Sequence, residues 1–229
     1  MRSFKQHIEE AKNTHMEHIE DMIFNDGVKG ARSAINFLQG LRDLFSGDTR
    51  SPINTTVKWD GAPAIFAGLD PRDGKFFIAK KGIFNANPKI YKTDEEINAD
   101  LSGDLATKFK LALQYLPALG IKNVIQGDFL YDNASLTSQS IDGEKMITFH
   151  PNTIVYAIPS GTEAAKKAKS AKIGIVWHTT YKGNSFESMK ASYGVDVSKL
   201  NKTANVWSQD AMLRDLTSYT MSKKETEIV

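Results

Sequence analysis

The chain reads as an α+β protein, on three observations. Its first fifty residues carry helical periodicity; from Pro52 onward the pattern changes to short β-rich segments broken by Gly, Asn, Asp and Pro; and strands and helices then follow one another without the regular alternation of a doubly wound fold. Residues 1–50 are expected to form a helical hairpin and 51–229 an α+β domain with a mainly antiparallel sheet.

In the amino-terminal part, Thr14 and Glu17 have capping-box spacing, and Met16, Ile19 and Ile23 recur on one helical face before Asn25-Asp26-Gly27 ends it. A second helix follows, with Ala31, Ala34, Ile35, Leu38, Leu41 and Phe45 at helical spacing and a stop at Gly47. His15 and His18 would face the same way on the first helix; without a nearby third ligand they read as surface histidines rather than a metal pair. Beyond Pro52, Asn54–Trp59 and Ala64–Leu69 are expected as strands joined through Asp60-Gly61-Ala62-Pro63, followed by a strand over Lys75–Ala79 after the turn Asp70-Pro71-Arg72-Asp73-Gly74. Further strands are expected over Ile121–Tyr131, Met146–Phe149, Thr153–Ile158 and Lys172–Thr180. A helix capped by Ser102 covers Gly103–Leu116, with Leu105, Phe109, Ala112, Leu113 and Leu116 as its buried stripe. Residues Tyr131–Glu144 read as a surface loop over the site. Glu163–Lys172 reads as a short helix whose lysines 166, 167, 169 and 172 form a solvated face, with phosphate contact the less favoured use.

At 229 residues and 41% hydrophobic the chain can bury a sizeable core. With no cysteine, disulfides, thiolate metal sites and cysteine nucleophiles are excluded, and any metal ligand is oxygen or imidazole. The formal charge of +2 gives no global field, so affinity for a polyanion would have to arise from a local patch. No stretch approaches the roughly 20 apolar residues that span a bilayer, and the amino terminus lacks an apolar signal core. A cytoplasmic protein, without membrane association, is expected.

Lys58-Trp59-Asp60-Gly61, within Val57–Ile65, is the strongest chemical signal. A lysine amine attacks phosphorus only when unprotonated, which calls for desolvation or neighbouring cations. Gly61, lacking a side chain, would let a triphosphate or ribose approach the backbone, and Asp60 would position the lysine or help hold a metal ion. Read alone, the tetrapeptide is more readily an Asp-Gly hairpin turn than a reactive site. Lys80-Lys81-Gly82 and Gln126-Gly127-Asp128-Phe129-Leu130 lie downstream, the latter a polar interruption of an apolar strand whose carboxylate needs a partner.

This order resembles the covalent nucleotidyltransferases, the polynucleotide ligases and messenger-RNA capping enzymes. Lys58-Trp59-Asp60-Gly61 is similar to their Lys-x-Asp-Gly motif, whose lysine becomes linked to a nucleoside monophosphate. Lys81-Gly82 is similar to a basic motif that touches the nucleotide. Gln126-Gly127-Asp128 is similar to a Gly-Glu-Leu motif that binds the ribose, Asp128 standing where glutamate is usual. Ile173–His178 resembles a family strand whose aromatic residue stacks on the base, which implies that role for Trp177, with His178 where an aspartate is often found. Asn13–Glu20, Val57–Ile65 and Gly174–Tyr181 resemble, more closely, a tailed-phage family of divergent ligase-like proteins. The resemblance implies an ATP-grasp-like nucleotidyltransferase sheet, ATP with Mg²⁺ or Mn²⁺, Lys58 as nucleophile, a nucleotide site of Asp60, Gly61, Lys81, Gly82, Asp128 and Trp177, metal contacts from Asp60 and Asp128, and a nucleic acid with a 5′-phosphate as partner. Two later motifs of the superfamily, a Glu-Gly-x-Val strand and a lysine strand, have no counterpart here; the nucleotidyltransferase domain is thus expected to be incomplete at its carboxyl end, with another chain as a source of the missing motifs. The alternative is a non-catalytic nucleotide-binding or structural phage protein with a degenerate ligase-like fold.

Overall fold

A computed structural model describes residues 18–47, 56–85, 87–212 and 220–228. The chain divides into two compact units, Met1–Thr55 with Leu213–Val229, and Thr56–Met212. The expectations resting on Thr14, His15 and Met16 lie outside the described residues.

In the first unit, helix α1 (Ile19–Phe45) is two helical segments meeting at Gly27, whose φ of 55° and ψ of −129° leave helical space. The Asn-Asp-Gly stop thus acts where the sequence puts it, because glycine alone adopts such a conformation cheaply. The segments approach so tightly beyond the break that a Cβ at Gly30 would overlap the carbonyl oxygen of Met22.

The second unit is mixed helix and mainly antiparallel sheet. Its strands are β1 (Ala64–Leu69), β2 (Phe76–Ala79), β3 (Ile90–Tyr91), β4 (Val124–Asp132), β5 (Thr137–Ile141), β6 (Glu144–Phe149), β7 (Tyr156–Pro159), β8 (Ile173–Lys182), β9 (Lys190–Tyr193) and β10 (Val206–Asp210). The large sheet runs β10-β8-β4-β1-β2-β3, with β9 also paired to β8, and a three-stranded sheet runs β5-β6-β7. Among the described strands only β10 pairs in parallel, against β8. Helices α2 (Asp94–Asp100), α3 (Gly103–Tyr115) and α4 (Glu163–Ser170) belong to this unit, and α5 (Lys223–Ile228) to the first.

Strand alternation divides the large sheet into two faces. On one, Ile65, Ala67, Ile78, Ile125, Phe129, Ile173, Ile175 and Trp177 form the main core with Phe109, Ala112 and Leu116 of the α3 region. The stripe expected on α3 is therefore the one buried, although the Ser102 side chain forms no capping bond. The other face carries two smaller apolar clusters, Phe66, Phe77, Ala79, Ile83, Val124 and Tyr181 at one end, and Leu130, Tyr131, Phe149, Ala168, Val176 and Ala211 at the other. The second of these includes residues of the small sheet and α4.

Two expectations are corrected. Residues 57–61 form no strand: Thr56 makes an isolated bridge with Met212, and the Val57 N–H donates to Ala211 O at 2.7 Å, so the segment is tied to the end of β10 instead of pairing back on β1 as a hairpin. Tyr131–Glu144 is no simple loop, since β4 extends to Asp132 and β5 follows; hydroxyl-rich Thr137–Ser140 is exposed, and its polarity disguised an edge strand.

Candidate functional site

The segment from Lys58 to Pro63 leads into β1, and its Gly61–Pro63 end lies against β4. Ala62 N–H donates to Phe129 O and Phe129 N–H donates to Pro63 O, both at 2.9 Å, which continues the β1–β4 register in which Ala64 faces Asp128. The contact leaves no room at Gly61, where a Cβ would come 2.4 Å from Asp128 Cβ and 3.0 Å from Phe129 O. Gly61 and Asp128, more than sixty residues apart in sequence, are thus in direct apposition. On the far side of β1, Phe66 pairs with Ala79 of β2, so the antiparallel register carries Lys80-Lys81-Gly82 back to the level of Ala64. Lys80 is held by Asp100 at 3.2 Å, whereas Lys81 is exposed and has no ion-pair partner among the described residues.

Asp128 sits half-buried on the face with the two smaller clusters, in a polar band between them. His178 Nε2 lies 3.7 Å from its Oδ2, and His178 Nδ1 is 2.8 Å from Thr179 Oγ1. Tyr181 donates to Gln126 Oε1 at 2.7 Å in the same band. His178 is the extra residue of a bulge, because Gln126 pairs with Thr179 but the next residue, Gly127, pairs with Trp177. A bulge redirects side chains locally, and here it sets an imidazole beside the Asp128 carboxylate.

Lys58 is exposed and has no hydrogen-bond or ion-pair partner among the described residues. Asp60 is the reverse case: its Oδ1 accepts from Asn152 Nδ2 at 2.8 Å, and its Oδ2 accepts from Thr153 N at 2.8 Å, Thr153 Oγ1 and Ile154 N at 3.2 Å. Its own N–H donates to Tyr156 Oη at 2.7 Å. The hydroxyl of Thr153, then the Asn152 amide, hold the carboxyl at about 2, below the ordinary range. Both oxygens are spent on the turn between β6 and β7, so Asp60 is a clamp between the motif and the small sheet and does not fit a metal ligand. Asp128 has His178 as its side-chain partner among the described residues, and among those residues no group of three or more acidic or histidine side chains is arranged to hold a metal ion.

Trp177 is a further correction. It is fully buried on the opposite sheet face from Asp128, with its indole N–H 3.3 Å from Ser208 Oγ. A Cβ at Gly127 would meet its ring at 2.8 Å. Core packing, not stacking on a base, accounts for this residue.

Sequence reading missed the Asn152–Tyr156 turn that takes Asp60, and also Lys108 of α3, whose Nζ pairs with Asp104 at 2.9 Å, reaches Ala62 O at 3.4 Å and lies over the Phe129 ring. The only local signal was Lys108's helical spacing from Asp104; nothing in the sequence ties either to the motif. At the other end of β1, remote in register from Gly61, a cleft of about 400 Å³ is lined by Leu69, Asp70, Lys122, Asn123, Tyr181 and Asn184 among others. Asp70 there is spent on Arg72 and Lys92, at 2.8 and 2.6 Å.

Fold and site together define an α+β protein with two sheets, in which an exposed lysine precedes a glycine pressed against a carboxylate-bearing central strand. The chain belongs to a family of unknown function, DUF6267, which matches residues 13–229. No curated protein and no solved structure matches it. Among the described residues no helix is long and apolar enough to cross a membrane.

Proposed function

We propose that the chain is an ATP-dependent nucleotidyltransferase with a ligase-like sheet core that forms a lysyl-adenylate at Lys58, the first step of DNA or RNA ligation. The observation that carries this reading is the apposition of Gly61 with Asp128; Lys81 returns to the same level of β1 on its other side, through the β1–β2 register. In the reaction, unprotonated Lys58 Nζ attacks the α-phosphorus of ATP, an N–P bond forms, the bond to pyrophosphate breaks, and the amine proton passes to solvent. Lys81 would neutralise phosphate charge as the leaving group departs, and Asp128 would contact the ribose or the Mg²⁺ carried by the nucleotide. That ion supplies charge neutralisation when bound. The adenylyl group would pass to a nucleic-acid 5′-phosphate.

A second reading is a nucleotide-binding or structural protein without turnover. The engagement of Asp60 by the small sheet and the exposure of Lys58 favour it. Incubation with α-labelled ATP, divalent metal and pyrophosphatase separates the two. Loss of the label in acid and its retention in alkali, characteristic of a phosphoramidate, are expected in the wild type, and Lys58→Ala should take up none. Equal labelling of both proteins rejects Lys58 as the nucleophile.

A further inference from the structure

We propose that Trp59 is a stacking platform for a nucleobase of a polynucleotide strand, which rests on the reading of Lys58 as the reaction site and extends it to the acceptor. Trp59 is the outermost member of a three-ring stack. Its ring lies 4.9 Å from Tyr156 at 25°, and Tyr156 lies 5.3 Å from Phe149 at 20°. Of the two ends of the stack, Phe149 is buried and Trp59 half-buried, so Trp59 is the more open end. The indole N–H has no partner among the described residues, whereas that of the core tryptophan, Trp177, meets Ser208.

The platform is also preorganised. The Asp60 N–H bond to Tyr156 Oη and the Asp60 carboxylate bonds to Asn152, Thr153 and Ile154 fix the stack from the residue that follows Trp59. The Val57 bond to Ala211 O fixes the chain two residues before it. Little rotamer freedom remains to be lost when a fourth ring is added, and ring-on-base stacking accepts any base, as a strand of arbitrary sequence requires. Lys58 stands next to the platform and supplies the adjoining cation.

A ring that only seals the edge of the apolar cluster would show the same geometry but no response to nucleic acid. Intrinsic tryptophan fluorescence distinguishes them, because Trp177 is fully buried and half-buried Trp207 is retained in Trp59→Phe, so a quench lost in that variant belongs to Trp59. A short oligothymidylate with a 5′-hydroxyl, which cannot be adenylylated, is expected to quench emission in the wild type. The quench should vanish in Trp59→Phe, and Trp59→Ala should bind labelled oligothymidylate on the order of tenfold more weakly. The quench is read without ATP on a strand that cannot be adenylylated, so a wild type that is quenched but takes up no adenylate separates failure of the covalent chemistry from failure of the platform. A quench that survives Trp59→Phe, unchanged affinity in both Trp59 variants, or quenching by ATP but not by the oligonucleotide overturns the proposal.

Discussion

At the scale of single residues, Asp60 shows how a motif position can be diverted from chemistry to architecture. A carboxylate that accepts four hydrogen bonds from one turn is stabilised in its charged form, which is why its pKa lies at about 2. The folded value is below the unfolded one of about 3.9, so the contribution to stability is complete above that value and is lost as the pH falls through about 2. Asp60→Asn removes the charge and is expected to lower the thermal midpoint at neutral pH by a few degrees; in acid the gap between variant and wild type should close. Melting curves from pH 7 downward check this, and a gap independent of pH would mean that the carboxylate's charge does not hold the turn. Lys58-Trp59-Asp60-Gly61 was legible as a special segment because lysine, acid and glycine are adjacent in the chain. The destination of the acid was not, since its partners lie more than ninety residues away and are ordinary Asn, Thr and backbone groups.

At the scale of elements, β4 is the organising strand, and close approach at glycines sets its neighbours. Gly61→Ala would drive a Cβ to 2.4 Å from Asp128 Cβ, with the Phe129 carbonyl behind it. Relief requires the motif segment to lift from β4, at a cost of about 1–3 kcal/mol. Nucleotide affinity should fall with it if Asp128 and Lys58 act together. Trp177→Phe, by contrast, trims the buried core on the other face and should lower stability by about 1–3 kcal/mol without altering ATP affinity. Denaturant melts paired with ATP titrations of both variants test the division; loss of ATP affinity in Trp177→Phe would return that residue to the site. Apolar runs revealed β1, β2, β4 and β8 at nearly their observed bounds, because buried central strands must be apolar. The alternation of Ile173, Ile175 and Trp177 puts the tryptophan on the core face, but beyond it the bulge at His178 reverses that alternation and hid the face taken by Tyr181. Exposed β5 and β9 were hidden for the opposite reason, having no apolar face to betray them.

At the scale of the whole molecule, the grouping of Leu213–Val229 with the amino-terminal unit was not legible, because it depends on contacts between chain ends and not on local composition. Thr56–Met212 contains the motif segment, Lys81 and Asp128, so the folding stability of this unit should report any nucleotide bound among them. Linkage fixes the size of the effect: ATP with Mg²⁺ at a hundredfold its dissociation constant adds about 2.7 kcal/mol to a protein that binds it only when folded. For a unit of this size that is a rise of about 5–10 °C in the melting midpoint. Lys58→Ala should retain most of the shift, because the amine is exposed and contributes to bond formation more than to binding. Asp128→Ala should lose it, since the half-buried carboxylate lies where the motif segment and the central strand meet. A wild type that gains nothing from saturating ATP with metal would reject both the catalytic and the nucleotide-binding readings, and Gly61 against Asp128 would then be packing alone.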